Sequence, residues 1–322
     1  MSPVGIVVAQ LGGPETLDDV EPFIRSIFAD PHLVPLPGGS RTRAALSWSI
    51  ARARAPRSRA NYAAIGGGSP LAATTRVQAA ALERELIARG HEVIVAVAQR
   101  HGRPDTAHAV DVLVDANVER VVMLPLFAQF SSATTGSSEA ELRRVAHGRG
   151  LDAPITVIRS WCDHPRYLDA QAGLVEEMLT ELPAVDRDRA LLVFSAHGLP
   201  RRVVDRGDPY PEEIEASVAG VVARLSQPID HVIAFQSRAG PVRWIGPDVT
   251  DVVAAAARSG RTWLGVVPIS FVSEHIETTH ELDIALAATA ARAGIRKFHR
   301  SRCFDDDPVV GPMLADITEA HL

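Results

Sequence analysis

Cysteine is nearly missing from this 322-residue chain: Cys162 and Cys303 are the only two, and they lie far apart. Neither a disulfide framework nor a four-cysteine metal or iron–sulfur cluster can be built from them, so a reducing cytosol suits the chain. Long apolar runs are missing as well, and none approaches the length of a membrane span. Met1 leads almost directly into Val4-Gly5-Ile6-Val7-Val8-Ala9, with no basic region or cleavage site of a signal peptide. There is no excess of positive charge: 33 Lys and Arg against 39 Asp and Glu leave a net charge of −6. That balance gives no electrostatic case for a nucleic-acid partner. What remains is ordinary globular composition, 46% hydrophobic and 22% charged, without low-complexity segments. The length suffices for two domains, each with its own core. The protein reads as cytoplasmic, either free in solution or lying on a membrane surface.

The chain is organised around one stretch, Leu191 to Pro200. An apolar run ends in Ser195-Ala196-His197-Gly198-Leu199-Pro200, and proline stops the strand. Such a run, bounded by turn residues, reads as a buried parallel strand. Ligands of open α/β sheets gather just past the carboxyl ends of these strands. His197 sits there between two small neighbours, open to a bulky partner. A second stretch, Val266 to Glu277, also runs from apolar strand into loop, and it ends in Glu274, His275 and Glu277. A lone histidine is commonly a structural imidazole. The pairing of these two strand ends is what favours a site.

In chain order, apolar runs at 4–9, 91–98, 120–127, 154–158, 190–195, 231–236 and 262–268 read as strands. Helices are predicted from Thr16 to Phe28, then near 75–89, 165–182, 210–225, 248–258 and 274–292. This alternation predicts an α/β chain of two similar Rossmann-like domains, each a parallel sheet flanked by helices. A boundary at Gly148-Arg149-Gly150 separates residues 1–150 from 151–305, and residues 306–322 read as a final helix with room to pack back on the first half. Between Pro35 and Tyr62 the pattern breaks down into an amphipathic segment with arginines at 52, 54, 57 and 59. It is either a solvated helix capping the domain or an apolar lip, over 36–50, that receives an acid-bearing ligand or touches a bilayer.

Three consecutive glycines, Gly66-Gly67-Gly68, imply a close backbone approach; their spacing is not that of a nucleotide-binding fingerprint. The hydroxyl-rich Ser131 to Ser138 loop either caps a helix or holds carboxylates or phosphates at its N-terminus. Glu277 and Glu281, four apart, share one helical face with Glu274 a turn earlier. Such a row is a solvated face, or it lines a cleft that a cation visits. Trp244, past a tight turn, is either core or a flat ring for a flat ligand.

These motifs resemble those of the ferrochelatase family. The resemblance runs end to end, through Leu11-Gly12-Gly13-Pro14-Glu15, Ile65 to Pro70, Arg100-His101-Gly102-Arg103-Pro104 and Ser131 to Ser138. It continues through Ser195 to Pro200, Gly207-Asp208-Pro209-Tyr210, Gln236 to Pro241 and Phe271 to Thr278. It implies a chelatase-like fold of two four-stranded domains with a cleft between them, and a lyase that inserts Fe²⁺ into protoporphyrin IX in haem synthesis. By the same resemblance His197 is the cleft histidine, Glu277 the carboxylate facing it, His275 their support and Glu281 the next acid on a row conducting metal or protons. Leu11, Arg54, Tyr62, Ser69, Arg100 and Trp244 fall at porphyrin-contacting positions. A porphyrin must lose two N–H protons as the metal enters, and a neutral imidazole, His197, is the natural base.

The departures are informative. A third acid expected along the row is Ala285 here. Ser132 stands where animal relatives carry a cluster-ligating cysteine, so no iron–sulfur cluster and no prosthetic group are expected, with Fe²⁺ acting as substrate. Leu11 replaces the tyrosine of the coproporphyrin-using branch, which favours protoporphyrin IX. The rivals are a coproporphyrin or other metal–tetrapyrrole chelatase, and a haem carrier, which would need no acidic row.

Overall fold

The computed structural model describes residues 3–34 and 36–322; Met1, Ser2 and the Pro35 that opens the irregular stretch lie outside the described residues. The chain forms two compact units. One comprises residues 1–127, 131–160 and 305–322; the other comprises 128–130 and 161–304.

The first unit is built on β1 (Val4–Gln10), buried throughout, its residues apolar or small up to the buried Gln10 that ends it. After β1 come α1 (Val20–Ala29), α2 (Ser40–Ala64) and α3 (Leu71–Ala88), then β2 (Val93–Gln99), α4 (Thr106–Asp115), β3 (Arg120–Pro125), α5 (Thr135–Arg149) and β4 (Ile155–Val157). The strands align in parallel in the order β2-β1-β3-β4, with Val4 opposite both Val93 and Arg120. Val7, Val110, Leu113, Val121, Met123 and Leu142 meet in the core between sheet and helices. The stretch where the sequence pattern breaks down is a continuous 25-residue helix, α2, with Pro56 inside it. Pro56 removes one N–H from the ladder, and packing of the buried Ala51, Ala55 and Tyr62 against the rest of the unit offsets that loss.

The second unit repeats the topology. It contains α6 (Pro165–Leu179), β5 (Ala190–His197), α7 (Arg201–Val204), α8 (Tyr210–Val222), β6 (His231–Gln236), α9 (Val249–Arg258), β7 (Trp263–Val267), α10 (Ile276–Thr279), α11 (Ala287–Ala293) and β8 (Lys297–Arg300). Its parallel order is β6-β5-β7-β8. The short polar strand β8 has no apolar signature and is visible only through its pairing with β7. The helix predicted near 274–292 is not uniform: α10 gives way to wider π winding over Glu281–Leu286 before α11. The last helix, α12 (Val310–Glu319), belongs to the first unit, where Arg89 donates to Asp316 at 2.7 Å and to Glu319 at 2.9 Å.

The glycine run meets its own chain. Gly66 and Gly67 adopt φ of +108° and +97°, and a Cβ on Gly68 would lie 2.1 Å from the Glu15 carbonyl oxygen. A side chain there forces the Glu15 loop to move. Gly68→Ala is therefore expected to lower stability by about 2 kcal/mol, read as a shift of the urea midpoint at constant slope; an unchanged midpoint would mean that the Glu15 loop yields freely.

Candidate active site

In an open parallel sheet, the gap between adjacent strands whose connections leave in opposite directions is the natural ligand site. In the second unit β5 and β7 are such neighbours. His197 is the last residue of β5, and the loop leaving β7 carries Ser270, Ser273, Glu274 and His275 into α10.

His197 is locked at both ends. Its backbone N–H donates to Ser270 Oγ at 3.0 Å, and its Nδ1 meets the Gly198 carbonyl at 2.6 Å. A carbonyl only accepts, so Nδ1 carries the hydrogen and Nε2 is left as the titrating nitrogen. That Nε2 faces Glu277 Oε1 at 3.4 Å. His275 is arranged in the same way: its Nδ1 lies 3.1 Å from the Ser273 carbonyl, and its Nε2 lies 3.3 Å from Glu277 Oε2. Each oxygen of one carboxylate thus meets one imidazole. The His275 ring also lies against Phe271, with centroids 4.7 Å apart.

The charges follow from that geometry. Burial pulls the His197 ring's pKa down, but the Glu277 carboxylate beside it, helped by Glu281 and the Gly198 carbonyl, pushes it up to about 9. Burial raises the Glu277 carboxyl, yet His197 and His275 hold it well below the usual carboxylate range. The carboxylate 3.4 Å away thus favours the protonated form of the His197 ring, a bias that the sequence alone does not show.

Glu281 lies one step further. Burial and the neighbouring Glu277 charge raise its pKa, opposed by two donors. Ser237 Oγ donates to it at 2.6 Å and Gln236 Nε2 at 3.1 Å. Ser237 holds a φ of +65°, a left-handed backbone uncommon outside glycine, and its hydroxyl reaches Glu281 from that position. Gln236 also donates to the Glu277 carbonyl at 2.7 Å and accepts from Ser195 Oγ at 2.7 Å, tying β5 and β6 to α10. Gln236 and Ser237 escaped the sequence reasoning as site residues; their signal is their position at the carboxyl end of β6. Glu274 does not join the row. It pairs with Arg300 at 2.7 Å and accepts from the Cys303 N–H at 3.0 Å.

Trp244 is brought beside the His197 turn. It is half-buried, its Nε1 donates to the Ala239 carbonyl at 3.2 Å, and a Cβ on Gly198 would lie 3.3 Å from its ring. The remaining predicted residues belong to the first unit. Leu11, Ser69 and Arg100 gather near the end of β1: the Leu11 carbonyl accepts from His101 N–H at 2.8 Å, and a Cβ on Gly13 would touch Ser69. Arg54 and Tyr62 lie on α2, the former exposed over the Phe28 ring at 5.4 Å, the latter buried. Arg100 is engaged internally, 2.7 Å from the buried Asp30 carboxylate and 3.0 Å from Ser137 Oγ. Burial raises the Asp30 carboxyl, but His101, the His32 N–H, Arg100 and Ser137 hold it well below the ordinary range. Among the described residues, no three His, Cys, Asp or Glu side chains converge as a metal cage.

The pair predicts a pH window. His197 has its pKa raised from 6.5 to about 9, so its contribution is complete below the lower value and lost as pH rises through the higher one. Glu277 is depressed from 4.5, so its contribution holds above that value and fades as pH falls. The stability gap between wild type and His197→Ala is expected to be widest from about pH 5 to 6.5, to narrow steadily above that, and to close by about pH 9 to 10. Denaturant midpoints across that range measure it, and a gap that stays flat to the alkaline end would discard the pairing.

Comparison with known proteins gives a consistent picture. The ferrochelatase family model matches residues 3–322. The ferrochelatase of Synechococcus sp. (strain JA-3-3Ab) is 41% identical over the whole chain and 94% of its own length. That of Geotalea daltonii is 41% identical over 98% of the chain and 97% of its own length. Among solved structures, SirB from Bacillus subtilis with Fe3+ shares the fold at a TM-score of 0.57 and 11% identity, covering 98% of this chain and 94% of that one. DR2241 from Deinococcus radiodurans, described as structurally similar to chelatases, gives 0.54 at 14% identity over 98% of this chain and 55% of its own.

Proposed function

From the chain's membership of the ferrochelatase family, and from the His197–Glu277 pair, we propose that it inserts Fe²⁺ into protoporphyrin IX with His197 and Glu277 as the working residues. The family makes it an iron-inserting lyase of haem synthesis. The observation that carries the residue assignment is the single carboxylate held between two imidazoles at 3.4 and 3.3 Å.

The chemistry requires two pyrrole protons to leave as one dication enters. In the free protein His197 already holds a proton because Glu277 is beside it. Fe²⁺ arriving at Glu277, with His275 and Glu281 adjacent, cancels the charge that kept the imidazole protonated. His197 then releases that proton to solvent, which reaches its partly exposed ring, and as the neutral base takes the two ring protons one at a time, passing the first on by the same route before taking the second. Iron binding and proton abstraction are thereby linked: the base forms where the metal has docked. Glu281, whose carboxyl is already biased towards protonation, is the next acceptor along the row. A clamped, non-planar ring would turn its nitrogen lone pairs towards the metal, and Trp244 beside Gly198 offers a flat surface for it.

Leu11, Arg54, Tyr62, Ser69 and Arg100 are assigned to the first unit's share of porphyrin binding; for Arg100 this means exchanging or sharing its Asp30 partner. The functional domains are taken to run over 1–150 and 151–305, with 306–322 attached to the first. The reading includes no prosthetic group and no iron–sulfur cluster, and a cytoplasmic site of action. Contact with a bilayer is assigned to 36–50, supported by Trp48 at 51% exposure with Arg52 over its ring at 5.9 Å. No described helix is long and apolar enough to cross a membrane.

Anaerobic mixing of protein, free-base protoporphyrin IX and Fe²⁺ or Zn²⁺, following loss of the free-base spectrum, tests the proposal. Wild type should chelate, and His197→Ala and Glu277→Gln should each fall by about 100-fold or more. Full chelation by His197→Ala would remove the assigned base. Tight haem binding without chelation by wild type would favour the carrier.

A further inference from the structure

Glu274, Glu277, Glu281 and Asp283 crowd one short segment, yet their partners differ. Glu277 meets the imidazoles, and Glu281 is held by Ser237 and Gln236. Glu274 and Asp283 are bound by one cation. Arg300 Nη1 donates to Glu274 Oε1 at 2.7 Å, while its Nε and Nη2 donate to the two oxygens of Asp283 at 2.5 and 2.7 Å. Arg300 ends β8 opposite Val266, and only 11% of its side chain is exposed. Its Nη1 also reaches the Ser301 carbonyl at 3.0 Å. The fork is thus anchored to the sheet and spans the segment, touching the residue before His275 and the residue two beyond Glu281. Between those grips the helix is irregular, with four residues of α10 followed by π winding. Winding of that kind does not fix its own orientation.

The geometry points to Arg300 as a positioning residue for the reaction: by gripping Glu274 and Asp283 together, it holds the segment between them so that Glu277 meets His197. This rests on the reading of His197 and Glu277 as the working pair. A planar fork can satisfy a bidentate carboxylate and a second carboxylate at once, whereas a lysine ammonium is a single point charge. Arg300→Met is expected to lower kcat about tenfold or more, with the KM for porphyrin within about twofold, because misplacement by an ångström is costly in the chemical step. Arg300→Lys is expected to recover part of that loss. Crystal structures of the full-length variants should show His197 Nε2 and Glu277 Oε1 drawn apart from 3.4 Å. Asp283→Asn, which leaves the Glu274 pair intact, should lose activity several-fold and serves if Arg300→Met does not fold. An unchanged kcat with the pair still in contact, in Arg300→Met or otherwise in Asp283→Asn, would overturn the assignment. The distance is read without turnover, so a wild type that fails to chelate sinks the proposed function and leaves this test standing.

Discussion

The second unit is organised around the need of one half-buried carboxylate, Glu277, for positive charge. Removing an ionised Glu277 from water is strongly unfavourable unless hydrogen-bonded cations replace the lost hydration. Two imidazoles face the carboxylate, one on each oxygen. Each ring presents Nε2 only because its Nδ1 is tied to a backbone carbonyl, that of Gly198 or Ser273. Those carbonyls are fixed in turn by the end of β5 and by the loop leaving β7, so the parallel sheet sets the geometry of the pair. In the proposed reaction the same contact would hold the proton that an incoming dication releases.

Helical spacing alone does not say which acids of a row do the work. Glu274, Glu277 and Glu281 look equivalent by periodicity, yet Glu274 is neutralised by Arg300 and excluded from the pair. The cause is long-range: Arg300 arrives from a strand 26 residues further along the chain. The π winding adds a local cause, since it changes which residues stack beyond Thr279.

Much of the architecture was legible from the chain. Continuous apolar runs closed by small residues and proline gave β1, β3, β5 and β7, because strands covered on both faces have no alternation to conceal. His197 was legible as a strand-end residue for the same reason, whereas Glu277 lies in α10, ten residues beyond the end of β7. What stayed hidden depended on partners distant in sequence. Strand β8 is polar and exists through its register with β7. The α2 helix reads as irregular because Pro56 and a run of arginines mask its buried alanines. The upward pull on the His197 pKa was not legible because ionisation belongs to the pair, not to the residue. Of the glycine run, Gly68 makes the close backbone approach read from the sequence, to the Glu15 carbonyl.

The two units share one strand order, so topology cannot account for their different chemistry. At the carboxyl edge of the first sheet, Asp30, Arg100 and Ser137 form a closed set in which acid and guanidinium satisfy each other. Burial there lowers the pKa of His101 despite the adjacent Asp30, so that imidazole is biased towards neutrality. At the matching edge of the second sheet, burial acts on His197 in the same direction and is overcome by Glu277 with Glu281 behind it. The difference lies in the count of neighbouring charges: Asp30 has a permanent guanidinium partner, whereas Glu277 has only titratable ones. A carboxylate paired with arginine keeps its protonation state across the physiological range, and one paired with histidines can exchange a proton for a metal ion. That substitution of partner, on an otherwise repeated fold, is the physical basis for proposing the second edge, and not the first, as the place of chelation.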